Sequence, residues 1–195
     1  MRRPTRLLSF VLACASSAIV ACAQSTTSPP KPGPEVKKLA VMVGKFTNEG
    51  EVKAGAMGPN SPAMKVSGTD ECRWTAGGFG LSCTYAYAIG AMKYTGASLY
   101  YYDPTSKKYR YHGINSMGEI EDQTGTVSGD TWTWPGGSSV GGKVLHTLYI
   151  MKVVSKDSYE YTEEWGESEN SMEPNMSGKD TRVAATKPAA SKPAQ

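Results

Sequence analysis

One stretch constrains this chain more than any other: residues 94–117, YTGASLYYYDPTSKKYRYHGINSM. It reads as two strands joined by a tight turn, because Asp then Pro suits the opening of a type I turn, where the proline ring presets the backbone angle. With residues 104–107 as the loop, Asp103 faces Lys108, Tyr102 faces Tyr109 and Tyr100 faces Tyr111. Side chains alternate along a strand, so these four tyrosines share one face. The same face runs on through Ser98 opposite Gly113 and Gly96 opposite Asn115. An aromatic wall thus stands beside a notch of small residues, which suggests the inside of a barrel with some spare room. The other face, with Tyr101, Arg110 and His112, reads as wetter.

The rest of the chain supplies strands to close such a barrel. Residues 34–43 form a short helical pattern, with Pro34 at its first turn, Val36, Leu39, Ala40 and Val43 on one side, and Gly44 as its stop. After it the alternation predicts strands at 45–53, 63–74, 79–89, 92–102, 108–117, 119–126, 131–134, 143–154 and 158–165, and a weak last strand at 177–183. Phe79, Leu81, Cys83, Tyr85, Tyr87 and Ile89 fall on one face and Ser82, Thr84, Ala86 and Ala88 on the other. One large-residue face per strand favours a single enclosed interior over a sandwich. The expected architecture is all-β, one antiparallel barrel over residues 34–183 with a short N-terminal helix. Gly77-Gly78 marks a two-residue hairpin turn, with Ala76 meeting Phe79. Counting outward, Cys72 lies opposite Cys83 at about 5 Å, a span that a disulfide bridges. Two buried free thiols are the alternative.

The N-terminus reads as a targeting segment. Arg2, Arg3 and Arg6 precede an uncharged apolar run at 7–21, shorter than the ~20 residues that span a bilayer. The run ends Ile19-Val20-Ala21-Cys22, which resembles a bacterial lipobox in which Cys22 becomes the lipidated first residue. Ordinary cleavage after Ala23, with Ala21 and Ala23 as the small residues, is the alternative. Residues 1–22 are therefore expected to be a signal peptide, 23–33 a Pro/Ser/Thr-rich linker and 184–195 an Ala/Lys/Pro tail. The resulting protein is exported, either periplasmic or held at the membrane through Cys22, or else secreted and soluble. Removing residues 1–22 takes away three of the 21 basic residues and none of the 18 acidic ones, so the net charge of +3 falls to near zero. No basic face is left, and nucleic acid is not an expected partner.

Pro32-Gly33-Pro34-Glu35, Lys38-Leu39 and Val43-Gly44-Lys45-Phe46 are followed by Arg73-Trp74, Gly77-Gly78, Tyr102-Asp103, Lys107-Lys108-Tyr109 and Ser116-Met117. Their order and spacing over residues 33–165 resemble the bacterial family known as domain of unknown function 1579. That resemblance implies a lipocalin-like barrel of about ten strands and implies no activity. Gly113 stands where a Trp is usual in the family and Asn115 where an Asp is usual, which implies a roomier and less acidic pocket. Phe46 and Phe79-Gly80 depart from the pattern as well. A more distant resemblance to haem-binding nitrobindin-like barrels brings no matching haem-ligand histidine, so no cofactor is expected.

Tyr100, Tyr102, Tyr109, Tyr111, Gly113, Asn115 and Ser98 are the expected ligand-contacting residues. A packed aromatic core is the competing reading of the same tyrosines. His112 and His146 are far apart and no metal site is expected. Glu119, Glu121 and Asp122 read as a solvated edge at a turn, and Glu163 and Glu164 point to opposite faces. Trp132 and Trp134 share a face and are expected inside. No nucleophile elbow, zinc motif or phosphate loop is present, and no catalytic residue is named. The leading function is binding of a small, partly apolar or aromatic molecule in the barrel. A filled barrel acting as an interaction module comes second, and an enzyme third. Gly113→Trp is expected to fill the notch and to weaken binding more than folding.

Overall fold

Alternating large and small residues, punctuated by turn residues, give ten antiparallel strands that each pair with the next. The computed structural model describes residues 30–184. The strands are β1 (Gly44–Val52), β2 (Met64–Thr75), β3 (Gly80–Ile89), β4 (Met92–Asp103), β5 (Lys108–Asn115), β6 (Ile120–Ser128), β7 (Thr131–Val140), β8 (Lys143–Ser155), β9 (Ser158–Gly166) and β10 (Glu173–Arg182). They form a closed barrel in which β10 pairs back onto β1, from Phe46 opposite Arg182 to Val52 opposite Met176. Closure leaves no strand edge to be covered. The apolar run at 7–21, Cys22 and the tail beyond 184 lie outside the described residues.

The tyrosine hairpin has the expected register, with Tyr102 opposite Tyr109, Tyr100 opposite Tyr111 and Ser98 opposite Gly113. Its turn is held by the Asp103 carboxylate, which accepts from the Thr105 amide at 2.9 Å and the Ser106 hydroxyl at 2.6 Å. The β2–β3 hairpin also has the expected register, and Cys72 and Cys83 are joined by a disulfide with their Cα atoms 4.1 Å apart. Its loop is longer than a two-residue turn. Thr75 and Gly80 are the last pair, Ala76–Gly78 form a short 3-10 turn, and Phe79 is an exposed loop residue.

Helix α1 (Pro34–Lys38) continues as a 3-10 segment, Leu39–Met42. Three residues per turn place Val36, Leu39 and Met42 on the buried side and leave Ala40 exposed, where an α-helical spacing had suggested Ala40 inside. This segment plugs one end of the barrel. Tyr109 ties it down, donating its hydroxyl to the Glu35 carbonyl and carboxylate at 3.0 and 2.9 Å. The Arg182 guanidinium donates to the carbonyls of Val41 and Val43 and lies 4.4 Å over the Phe46 ring.

Above the plug, Trp132 and Trp134 are buried and stacked, 5.8 Å apart, with Tyr100 and Tyr109 edge-on against them. Leu39, Met42, Phe46, Leu81, the disulfide and Met151 complete this lower core. A smaller cluster at the other end gathers Val52, Val66 and Ile89 with Met64, Met92 and Trp165 around them.

Candidate functional site

Between the two clusters the barrel is not filled. A cavity of about 370 Å³ runs from Met42 at the plug to the opposite end. There its rim includes Met57 from the β1–β2 loop, Met92 at the start of β4, Met117 from the β5–β6 turn and Val140 beside the β7–β8 turn. Met57 and Met117 are half exposed, which sets the mouth at this end. Tyr85, Tyr87 and Tyr94 form one aromatic cluster on the wall, with ring centroids 5.5 to 6.3 Å apart. Tyr149 and Tyr161 form another, stacked at 5.6 Å.

Four of the seven residues that the sequence nominates line this cavity: Ser98, Tyr100, Tyr111 and Asn115. Tyr102 and Tyr109 face inward but pack near the plug, 5.1 Å apart, with the Tyr109 hydroxyl committed to Glu35. Gly113 also faces inward and is buried, but the notch around it is occupied. A Cβ there would stand 2.6 Å from the Tyr111 hydroxyl and 2.8 Å from the Glu121 carboxylate. A Cβ at Gly96 would stand 2.2 Å from the Tyr85 ring. The small residues are landing places for aromatic rings, so Gly113→Trp has no space to enter, and a cavity-blocking substitution belongs at Ser98.

The wall carries residues that the sequence reading placed in solvent or passed over. Asp70, Glu119, Glu121, Glu163 and Asp180 all line the cavity, and among the described residues no lysine, arginine or histidine does. The pocket is therefore strongly acidic, against the less acidic one implied by Asn115. Glu121 accepts from the Tyr111 hydroxyl at 2.8 Å, and Glu119 from the Asn115 amide at 2.7 Å and from the Ser138 hydroxyl. Asp180 accepts from the Asn48 amide at 3.0 Å, whose oxygen in turn takes the Tyr161 hydroxyl at 3.2 Å. Burial pushes the Glu163 carboxyl up to about 8, with the charges of Glu121 and Glu119 adding to it. Asp70 and Asp180, which lie against each other, are both held well above the usual carboxylate range, first by burial. The tyrosine hydroxyls of the interior, Tyr87, Tyr100 and Tyr149 among them, are raised by the same loss of water and stay protonated donors. Glu163 is only partly buried by surface area although its charge is strongly desolvated, because what it exposes faces the cavity rather than bulk water.

Residues 31–182 match the family described as protein of unknown function (DUF1579). The chain belongs to that family. A crystal structure of Rv2717c from M. tuberculosis is similar in fold, with a TM-score of 0.55 and 15% identity, covering 78% of this chain and 99% of that chain. No curated protein matches the chain.

The acidic interior of this DUF1579 barrel has a consequence for stability. A carboxyl raised to about 8 keeps its proton in the folded protein where the unfolded chain, near 4.5, has lost it. The stabilising contribution is full below the unfolded value and is lost as pH rises through the folded one. Asp70, Asp180 and Glu121 act in the same direction. Glu35 and Asp103, whose values are lowered by their hydrogen bonds to Lys38 and Ser106, act only at lower pH. The melting temperature should therefore fall from pH 5 to pH 8.5. One such group contributes at most about 1.4 kcal/mol per pH unit, less where water enters the cavity. Glu163→Gln should flatten the slope and raise the melting temperature at the alkaline end. A melting temperature that climbs over this range in thermal denaturation would contradict the assignment.

Proposed function

We propose that this protein binds a small, partly apolar molecule inside its barrel. The observation that carries the reading is the cavity itself. At about 370 Å³ it falls within the ~300–1,000 Å³ range of ligand pockets, and it is walled by aromatic rings with a few fixed polar groups. Native interiors otherwise pack to crystal density, and the lower core of this barrel gathers large buried side chains around Trp132 and Trp134. A filled barrel serving only as a scaffold leaves the open middle without an explanation. Two titratable groups, Asp70 and Asp180, do converge on the cavity, as a catalytic site requires. The donors beside them, Tyr87 and Asn48, are already committed to those carboxyls, so binding is the better-supported reading.

Residues 2–22 support export, with the chain held at the cell envelope through lipid on Cys22. Mass analysis of the N-terminal peptide separates a lipidated Cys22 from a chain beginning at Gln24.

The binding reading is tested with Nile red, a neutral dye that brightens in apolar surroundings. The dye should brighten with the wild-type protein and not with Ser98→Trp, whose indole would occupy the cavity. Leu99→Trp, on the exposed neighbouring position, should behave as wild type. Equal brightening with Ser98→Trp and wild type, or none with either, counts against an internal site.

A further inference from the structure

The groups on the cavity wall are unbalanced: five carboxyl groups line it and, among the described residues, no basic side chain answers them. The imbalance is sharpest deep in the barrel. Asp180 is 2% exposed, and its Oδ2 takes the Asn48 amide, while Oδ1 has no hydrogen-bond partner. Its neighbour Asp70 lies within hydrogen-bonding reach of it and takes the Tyr87 hydroxyl at 3.4 Å. Two facing carboxyl groups offer acceptors and no donor unless a proton is kept between them, so the site calls for a proton or for a positively charged group. Buried polar atoms are nearly always satisfied, and an orphan among them points to a missing partner. Rings of Tyr87, Tyr149, Tyr159 and Tyr161 stand on the wall of the same cavity. Their electron-rich faces attract organic cations. Among the described residues no group of three or more histidine, cysteine, aspartate or glutamate side chains is placed to hold a metal ion.

We infer that the molecule taken up by this barrel is an organic cation: an amine or guanidinium head set between Asp70 and Asp180, on an aromatic or alkyl body that packs against the tyrosines. The inference rests on the internal-binding reading above and adds the charge of the ligand. Glu121 and, once it loses its proton, Glu163, also on the wall, add negative potential that favours entry of cations and opposes anions. Without such a cation the pair keeps a proton, because burial holds Asp180 above the usual carboxylate range. A cation takes the place of that proton, so binding is coupled to proton release. The groups that bear on this exchange are Tyr87, Tyr159 and Tyr161 around the pair, and Glu119, Glu121 and Glu163 elsewhere on the wall.

Calorimetric titration of the full chain with tryptamine, tryptophol and indoleacetate tests the inference, since these share one ring system and differ in the charge of the head. Tryptamine should bind on the order of tenfold more tightly than tryptophol, with indoleacetate weakest. Repeating the tryptamine titration at neutral pH in buffers of different ionisation heat should show protons released, and the tryptophol titration none. Asp180→Asn, nearly the same shape, should erase the preference for the amine, so that tryptamine and tryptophol bind this variant alike. Asp70→Asn is the second variant, should the first fail to fold. If tryptophol binds the wild type as well as tryptamine does, the cation inference falls and the internal site stands. The same conclusion follows if the amine preference survives in the folded Asp variants. If neither compound binds and Nile red finds no internal site, both readings fall together.

Discussion

Trp134→Ala is expected to destabilise the barrel by about 3–5 kcal/mol, the usual range for removing a fully buried large aromatic side chain. Trp134 is 1% exposed, stacks on Trp132 and meets the edge of Tyr100 at 5.4 Å. Its ring lies across Gly125, where a Cβ would come within 2.4 Å of the indole. Gly125→Ala alone should therefore cost roughly 1–3 kcal/mol by overpacking. In the Trp134→Ala background the added methyl meets empty space, and its cost should vanish or change sign. Denaturant unfolding of the two single variants and the double variant measures this coupling directly. A cost for Gly125→Ala that is the same with and without the indole would contradict the packing described for the lower core.

The second large effect is the loss of the Cys72–Cys83 bridge. The bond closes a short loop, with a sequence separation of 11, so the chain-entropy model gives somewhat under ~3 kcal/mol. Both residues are buried in the lower core beside Leu81 and Met42, so replacing them with alanine also leaves small voids. At about 2–4 °C per kcal/mol for a domain of this size, the Cys72→Ala/Cys83→Ala variant should melt roughly 5–10 °C lower. Reductant should bring the wild type down towards the variant and leave the variant unmoved. Two free thiols in unreduced protein, with a melting temperature indifferent to reductant, would contradict the bridge.

The elements that could be read from the sequence are those whose inward positions are apolar or aromatic and whose turns carry turn residues. The tyrosine hairpin and the disulfide hairpin have both, and their registers follow from counting outward from the turn. β10 is longer than the sequence suggests because its inward row, Met176, Gly178, Asp180 and Arg182, has almost no hydrophobic signal. β7 continues past Trp134 through Pro135, Gly136 and Gly137, residues that ordinarily end a strand. The proline is exposed. Gly136 lies against Gln123 of β6, where a Cβ would come within 2.6 Å of the Gln123 Cα.

The acidic half of the candidate site was hidden for a related reason. A carboxylate in a strand is ordinarily taken to face water. Tyr159, Tyr161, Glu163 and Trp165 nevertheless share one face by simple alternation, and that row did contain the signal. Asp70 alternates in the same way with Val66 and Cys72. The glycines misled in the opposite direction. Gly96 and Gly113 read as empty space, yet the Tyr85 ring lies across the first and the Tyr111 hydroxyl across the second, as the rings of Tyr87 and Trp134 do at Gly68 and Gly125. The true space lies beside them, where the rings stop.

The central claim, an open barrel that holds a small molecule, is tested most directly by native mass spectrometry of protein purified gently from a bacterial host. The wild type should carry a non-covalent adduct of small-molecule mass that leaves on collisional activation, and Ser98→Trp should be bare. Bare wild-type protein, or the same adduct on both proteins, would contradict a ligand held within the cavity.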